Sequence, residues 1–319
     1  MFLFICIALL VTGWIIFSLT AGFIVYHSSQ HKHLENNTAF ESHIKDPRIM
    51  DPLNSAKERW KELRGNHTLI ELSVLSKENF RLSGWLWPAE NNGTGKTVIL
   101  VHGVMDSAAG MGYLAEEYHK KNWDVLCIDL RAHGDSEGKK STMGVLEADD
   151  LVLWVDLLVS VHKKTAIFLH GVSMGGAAVL MYGGNRSHLP DEVMGIVSDS
   201  SFASYFKAFS LLINFVVRNR FIAWSIAHGA SLASYTSCGI PFAKMSPLSV
   251  VDSITVPLLF FHGENDVLVP IRTVQKMFDK AVQRTNEIVV IPEAPHIGAY
   301  FYAPLEYMDK IEQFSRRNT

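Results

Sequence analysis

Thr165-Ala166-Ile167-Phe168-Leu169-His170-Gly171-Val172-Ser173-Met174-Gly175-Gly176-Ala177-Ala178-Val179-Leu180-Met181 passes from an apolar run, through a Gly-x-Ser-x-Gly turn, into a small-residue stretch suited to a helix. A strand, a sharp turn and a helix in that order lift the hydroxyl of the central serine out of the backbone, where it can act as a nucleophile. The flanking glycines fit a turn that strains the serine backbone and brings strand and helix too close together for a β-carbon. The competing reading is a tight turn with no chemical role; the context on both sides favours the nucleophile.

Outward from this turn, strand and helix patterns alternate. Val98-Ile99-Leu100-Val101 reads as a buried strand, 110–121 as a helix, Asp124–Ile128 as a strand and 145–161 as a long helix. Past the serine, Met194–Ser198, Pro257–Phe261 and Ile288–Ile291 read as further strands, with helices at 270–282 and from Pro304 to Phe314. Such alternation implies a mainly parallel sheet with helices on both faces. Upstream, Leu69–Leu75 and Phe80–Trp87 alternate in polarity around Ser76-Lys77-Glu78-Asn79 and predict an antiparallel hairpin at a sheet edge. A short helix from Pro52 to about Leu63 is expected to pack on the domain. The rhythm breaks at 202–250, where Phe202, Tyr205, Phe206, Phe209, Leu212, Ile213 and Val216 fall largely on one helical face; this stretch reads as a helical insertion.

A serine hydroxyl needs a base in hydrogen-bond reach and a third group to orient that base. In an open α/β sheet both belong in loops at the carboxyl ends of strands. The loop His262-Gly263-Glu264-Asn265-Asp266 follows one such strand, and Pro292-Glu293-Ala294-Pro295-His296 follows another. The resulting order Ser173, Asp266, His296 makes His296 the candidate base and Asp266 its orienting acid, with Glu264 and Asp199 as rivals for the acid. Backbone N–H groups of Met174, next to the serine, and of Val104, in the loop His102-Gly103-Val104-Met105-Asp106-Ser107, are the candidate oxyanion donors. His102 and His170 each precede a glycine at a strand end and read as packing residues. No metal-ligand cluster, phosphate loop or dinucleotide fingerprint competes, so no cofactor is expected.

Together His102-Gly103, Asp129-Leu130-Arg131-Ala132-His133-Gly134-Asp135-Ser136, the serine turn, Asp199-Ser200-Ser201, His262–Asp266 and His296 make residues 66–317 resemble the α/β-hydrolase superfamily. More narrowly, they resemble its bacterial membrane-anchored or secreted serine aminopeptidase-like, prolyl-oligopeptidase-like branch. The resemblance implies an α/β-hydrolase fold, serine hydrolase chemistry with Ser173, Asp266 and His296 in the triad positions, and a helical cap at 202–250. Two departures stand out: Pro295 where the family commonly has Gly before the His, and Ala132 in place of a frequent Gly. The aromatic face of the insertion suits either an acyl-chain pocket or a packing surface.

At 319 residues and a net charge of −3, the chain has ample material for a core and lacks the basic face of a nucleic-acid binder. Cys6, Cys127 and Cys238 form neither a metal spacing nor an even disulfide set. Phe2 to Tyr26 holds 25 residues without a charge, longer than the apolar region of a secretory signal and with no Lys or Arg before it. An uncleaved single-pass anchor is expected over residues 1–26, with a cleaved signal as the alternative. Polar residues 27–50 read as a tether, giving an organisation of anchor (1–26), tether and short helix (27–65) and catalytic domain (66–319). Lys32 follows the apolar run, which weakly favours a cytoplasmic catalytic domain but is too little to fix orientation. The expected activity is therefore cleavage of carboxylic esters of small acyl substrates, lipid-derived ones among them, by a membrane-tethered serine hydrolase. A small-peptide or amide hydrolase with the same residues and a catalytically silent membrane-bound binding module are the alternatives.

Overall fold

Eight apolar runs, most of them Val-, Ile-, Leu- and Phe-rich, become the eight strands of one sheet in a computed structural model, which describes residues 2–29, 46–90 and 93–319. The strands are β1 (Ile70–Leu75), β2 (Arg81–Trp87), β3 (Lys96–Val101), β4 (Asp124–Ile128), β5 (Ala166–Val172), β6 (Val193–Asp199), β7 (Leu258–Gly263) and β8 (Glu287–Ile291). Their spatial order is β1-β2-β4-β3-β5-β6-β7-β8. The β1–β2 and β2–β4 pairs are antiparallel, and every pairing from β4 through β3 to β8 is parallel. This is the α/β-hydrolase fold with an antiparallel edge. Most of the predicted tether, residues 30–45, lies outside the described residues.

The central strands are apolar on both faces because helices cover both. Val98, Ile99, Leu100 and Val101 of β3 are wholly buried, as are Leu259, Phe260 and Phe261 of β7. Helices in this part of the chain are α2 (Pro47–Gly65), α3 (Gly112–Lys120), α4 (Val145–Ser160) and α5 (Met174–Gly184). One core cluster joins Trp60 of α2, Tyr118 of α3, Trp85, Trp123, Phe168 and Phe314. On the sequence reading α2 starts near Pro52, but it begins at Pro47, because Asp46 caps it by accepting the Arg48 amide at 3.0 Å. Pro47 then occupies the first turn, where its missing N–H costs nothing. Pro52 stays inside the helix, where it gives up one backbone bond.

The chain divides into two compact units, Lys32–Ala203 with Pro247–Thr319, and Met1–His31 with Ser204–Ser246. The first carries the sheet. The second joins the N-terminal helix α1 (Phe2–Ser28) to the inserted helices α6 (Tyr205–Val217) and α7 (Arg220–Cys238). Helix α1 is long and apolar enough to cross a membrane. Of the aromatic and aliphatic face read on α6, Phe209 is buried whereas Leu212 and Val216 are exposed. In the sheet unit, α8 (Arg272–Lys280), α9 (Ala299–Tyr302) and α10 (Pro304–Arg317) complete the helices.

The loop after β4 is a polar scaffold for the loop after β3. Asp129 accepts the Ala108 amide at 2.7 Å through one oxygen and the Asp135 amide at 2.7 Å through the other. Ser136 donates to the Asp129 carbonyl at 2.6 Å and accepts the Ser83 amide at 2.8 Å. Arg131 donates twice, at 2.7 Å each, to the buried Asp150 carboxylate on α4. Within this loop Ala132 sits at φ 62°, in the left-handed region that an alanine pays for and a glycine does not. Ala132→Gly is therefore expected to stabilise the protein by roughly 0.5–1 kcal/mol, the left-handed penalty exceeding the extra unfolded-state entropy of glycine. A lower denaturant midpoint for the variant would refute this account of Ala132.

Candidate active site

Ser173 lies between the end of β5 and the start of α5 at φ 54° and ψ −111°, outside the usual regions for a residue with a β-carbon. The neighbouring glycines explain how the chain reaches that turn. A β-carbon on Gly171 would stand 2.1 Å from the Gly175 carbonyl oxygen, and one on Gly175 would stand 2.0 Å from the Val101 carbonyl oxygen. Only glycine allows β3, β5 and α5 to approach this closely. The Ser173 amide donates to the Asp199 carbonyl at 2.8 Å, tying the turn to the end of β6.

At this turn the Ser173 hydroxyl lies 3.0 Å from Nε2 of His296. Nδ1 of His296 lies 2.7 Å from Oδ2 of Asp266. The other carboxylate oxygen of Asp266 accepts the Leu268 amide at 3.0 Å and the Val269 amide at 2.7 Å. Asp266 is thus fully engaged, and both it and His296 are buried. With Asp266 accepting, Nδ1 of His296 carries the proton and Nε2 is the acceptor facing the serine. The rivals for the acid lie elsewhere: Glu264 accepts the Glu293 amide at 3.2 Å, and Asp199 bonds to hydroxyls.

The His296 loop follows a path compatible with Pro295. Asn265 donates to the Ala294 carbonyl at 2.9 Å, and Gly298 donates to the Pro295 carbonyl at 2.9 Å. Proline needs no donor role here, since its carbonyl makes the contact. A β-carbon on Gly263 would fall 2.3 Å from the Ala294 oxygen, so the β7 end and the His296 loop touch backbone to backbone.

Behind the site runs a buried polar chain that the sequence pattern does not single out. Tyr307 donates to Oδ2 of Asp199 at 2.8 Å, Ser200 donates to Oδ1 at 2.8 Å, and the Ser200 hydroxyl accepts the Ile297 amide at 3.2 Å. Because the Tyr307 proton is committed to Asp199, His170 donates from Nε2 to the Tyr307 oxygen at 2.9 Å. Nδ1 of His170 then accepts from Tyr118 at 3.0 Å. Burial pushes the His170 pKa down to about 3, keeping it neutral. Only the run Asp199-Ser200-Ser201 hinted at this chain; Tyr118 and Tyr307 come from helices remote in sequence. His102, likewise buried and held down to about 3 by burial, accepts the Leu130 amide at 3.0 Å and packs the loop. His262 lies on the far side of Asp266, with Nε2 2.7 Å from the Val269 carbonyl.

A small cleft of about 70 Å³ opens onto Ser173 and His296, lined by Leu53, Val104, Met105, Met111, Tyr113 and Phe301 among others. Val104 borders this cleft, and a β-carbon on Gly103 would lie 3.5 Å from Cβ of Ser173. Met174 is the first residue of α5, where a backbone N–H has no partner within the helix. Among the described residues no group of His, Cys, Asp and Glu side chains is arranged to hold a metal ion.

Comparison with known proteins agrees with the fold. The family model described as serine aminopeptidase, S33, matches residues 93–236. The esterase Pf2001 of Pyrococcus furiosus is 27% identical, with a TM-score of 0.63 over 78% of this chain and 92% of that one. The Bacillus subtilis protein YqkD, itself uncharacterized, is 27% identical over 69% of this chain and 71% of its own. A monoacylglycerol lipase of Mycolicibacterium smegmatis is 22% identical over 66% of this chain and 84% of its own. The chain belongs to the α/β-hydrolase superfamily and is a hydrolase.

Burial pushes the Asp199 carboxyl from 3.8 up to about 6, against the lowering pull of the Ser200 and Tyr307 hydroxyls. Between those values the unfolded chain has released this proton while the native chain holds it, so its contribution to stability falls as pH rises, by on the order of 3 kcal/mol. Denaturant titrations should show wild type losing stability relative to Asp199→Asn from about pH 4 to about pH 7. Parallel pH profiles for the two proteins would contradict it.

Proposed function

We propose that the protein is a membrane-tethered serine hydrolase that cleaves carboxylic esters through an acyl-enzyme. The observation that carries this reading is the hydrogen-bonded row from Ser173 through His296 to Asp266. The Ser173 oxygen attacks the ester carbonyl carbon while Nε2 of His296 takes the hydroxyl proton. Asp266 keeps the imidazole in the correct tautomer and stabilises the imidazolium that forms. Negative charge gathers on the carbonyl oxygen, where the Val104 and Met174 amides are the proposed donors. The imidazolium returns its proton to the departing alcohol, and a water activated by the same nitrogen releases the acid and restores Ser173.

The cleft supports a small acyl group. Its volume of about 70 Å³ compares with the ~300–1,000 Å³ of pockets that enclose drug-sized ligands. Its lining is mainly apolar, suiting the acyl chain of an ester. A lipid-derived substrate is in keeping with the membrane tether proposed for α1, an apolar helix long enough to enter and cross a bilayer. The esterase and the lipase among the relatives point the same way.

The description of the matching family model supports a second reading, in which the same residues cleave a small peptide or amide. Matched ester and aminoacyl-amide substrates separate the two by their relative kcat/KM.

Three variants test the site. Ser173→Ala should abolish fluorophosphonate labelling and lower kcat on short p-nitrophenyl esters by about 10⁴–10⁶. His296→Ala should match it, while Asp266→Asn should lose about 10³–10⁴ in kcat. Equal labelling of wild type and Ser173→Ala would remove Ser173 from the role of nucleophile.

A further inference from the structure

We propose that the turn joining α6 to α7 is a second membrane-contact element, inserted into a phospholipid surface beside α1; this rests on the reading of α1 as a membrane anchor. The first ground is how α1 and α7 meet. Helix α1 presents a narrow stripe, Trp14, Ser18, Gly22 and Tyr26, to α7, and the two run parallel, since Ser18 meets Ser225 while Tyr26 meets Cys238. The Ser18 and Ser225 hydroxyls are 2.8 Å apart, and the Trp14 indole donates to Ser225 at 2.9 Å. A β-carbon on Gly22 would stand 2.3 Å from the Ala230 nitrogen, and one on Gly229 would stand 2.1 Å from the Ser18 oxygen. Small residues four apart on both helices, with backbones in contact and hydroxyls bonded across, hold α7 closely against α1, so the turn is fixed at a set level along α1.

The second ground is what this leaves outside. A water-soluble helix pair turns its large apolar side chains inward. Here Val216 is 81% exposed and Phe221 61%, with Leu212, Phe215 and Trp224 exposed around the same turn. Leu232 and Tyr235 are exposed farther along α7, but the two highest exposures, at Val216 and Phe221, flank the turn. The turn itself is Arg218-Asn219-Arg220, exposed and basic, with Asn219 capping α7 through the Phe221 and Ile222 amides. An apolar knob crowned by arginines matches a phospholipid surface, with side chains among acyl chains and guanidinium groups snorkelling to phosphate.

The depths agree. Phe221 stacks on Trp14 at 5.4 Å, which sets the turn level with Trp14 along α1. Beyond that level Phe2–Gly13 supplies twelve residues, about 18 Å of helix. An interfacial element lies about 5–10 Å into the headgroup and acyl boundary, so the two together reach about 23–28 Å, close to the ~30 Å hydrocarbon layer.

The test uses the full chain, with Cys6→Ser and Cys238→Ser, reconstituted into vesicles of phosphatidylcholine and phosphatidylglycerol. A fluorophore is placed at Val216→Cys and, in a second protein, at Phe215→Cys. Leu10→Cys on α1 and Leu305→Cys on α10 are the references, both positions being exposed in the free chain. Shallow doxyl-labelled lipid should lower emission at positions 216 and 215 about twofold while sparing position 305, and aqueous iodide should quench only position 305. If position 10 is quenched by lipid while 216 and 215 behave as 305 does, the anchor stands and the hairpin proposal fails. Shielding of 216 and 215 from both lipid and iodide means that protein, such as a second copy of the chain, covers the turn, and this also overturns the proposal. If position 10 escapes lipid quenching as well, the anchor reading itself falls.

Discussion

Close backbone contact at the end of β5 is the constraint on which the site depends. Gly171 and Gly175 let β3, β5 and α5 come within a distance that no β-carbon permits. Ser173, wedged between them, is held at φ 54°, and its hydroxyl projects above the sheet instead of into the core. Strain of this kind, on the order of 1–3 kcal/mol, persists only where the surroundings over-determine it. The surroundings here are buried strands: β3 and β5 pair in register, and the Ser173 amide is fixed by the Asp199 carbonyl on the neighbouring strand.

The same logic extends outward from the serine. Three loops at the carboxyl ends of β5, β7 and β8 converge on one point, as an open parallel sheet requires. Each is held by hydrogen bonds: the serine turn by the Asp199 carbonyl, Asp266 by two amides, and the His296 loop by its Ala294 and Pro295 carbonyls. The buried chain from Tyr118 to Ser200 ends on the Ile297 amide, one residue past His296. Polar groups so deeply placed are tolerable because each one traced in this chain has a partner; a half-satisfied chain would cost more than an apolar core.

Much of the fold is legible in the order of patterns. Apolar runs of four to six residues, separated by helix-length stretches, give the parallel part of the sheet, and the polar alternation of 69–87 gives its antiparallel edge. Local chemistry decides the boundaries less clearly: Asp46 starts α2 earlier than Pro52 suggests, because a cap depends on one side chain and not on a period. The face of α6 shows the limit of periodicity. Phe209, Leu212 and Val216 share a helical stripe, yet only the first is buried, because amphipathic spacing says that a face exists and not what covers it.

The candidate residues around Ser173 follow from motif spacing and strand-end placement, both of which are written along the chain. What spacing cannot supply is which acid meets His296. Asp199, Glu264 and Asp266 all lie at or just past strand ends, and only the folded paths bring Asp266 to 2.7 Å while tying Asp199 to Tyr307 and Ser200. Nor does any local signal announce that Tyr118, His170 and Tyr307 share one hydrogen-bonded line, since they are drawn from three elements up to 189 residues apart. The sequence by itself determined the elements, their alternation and the strained serine turn, because these rest on propensity and short-range sterics. The tertiary structure alone decided the partners, because hydrogen bonds act over about 3 Å and pattern periods carry no information about distance between remote segments.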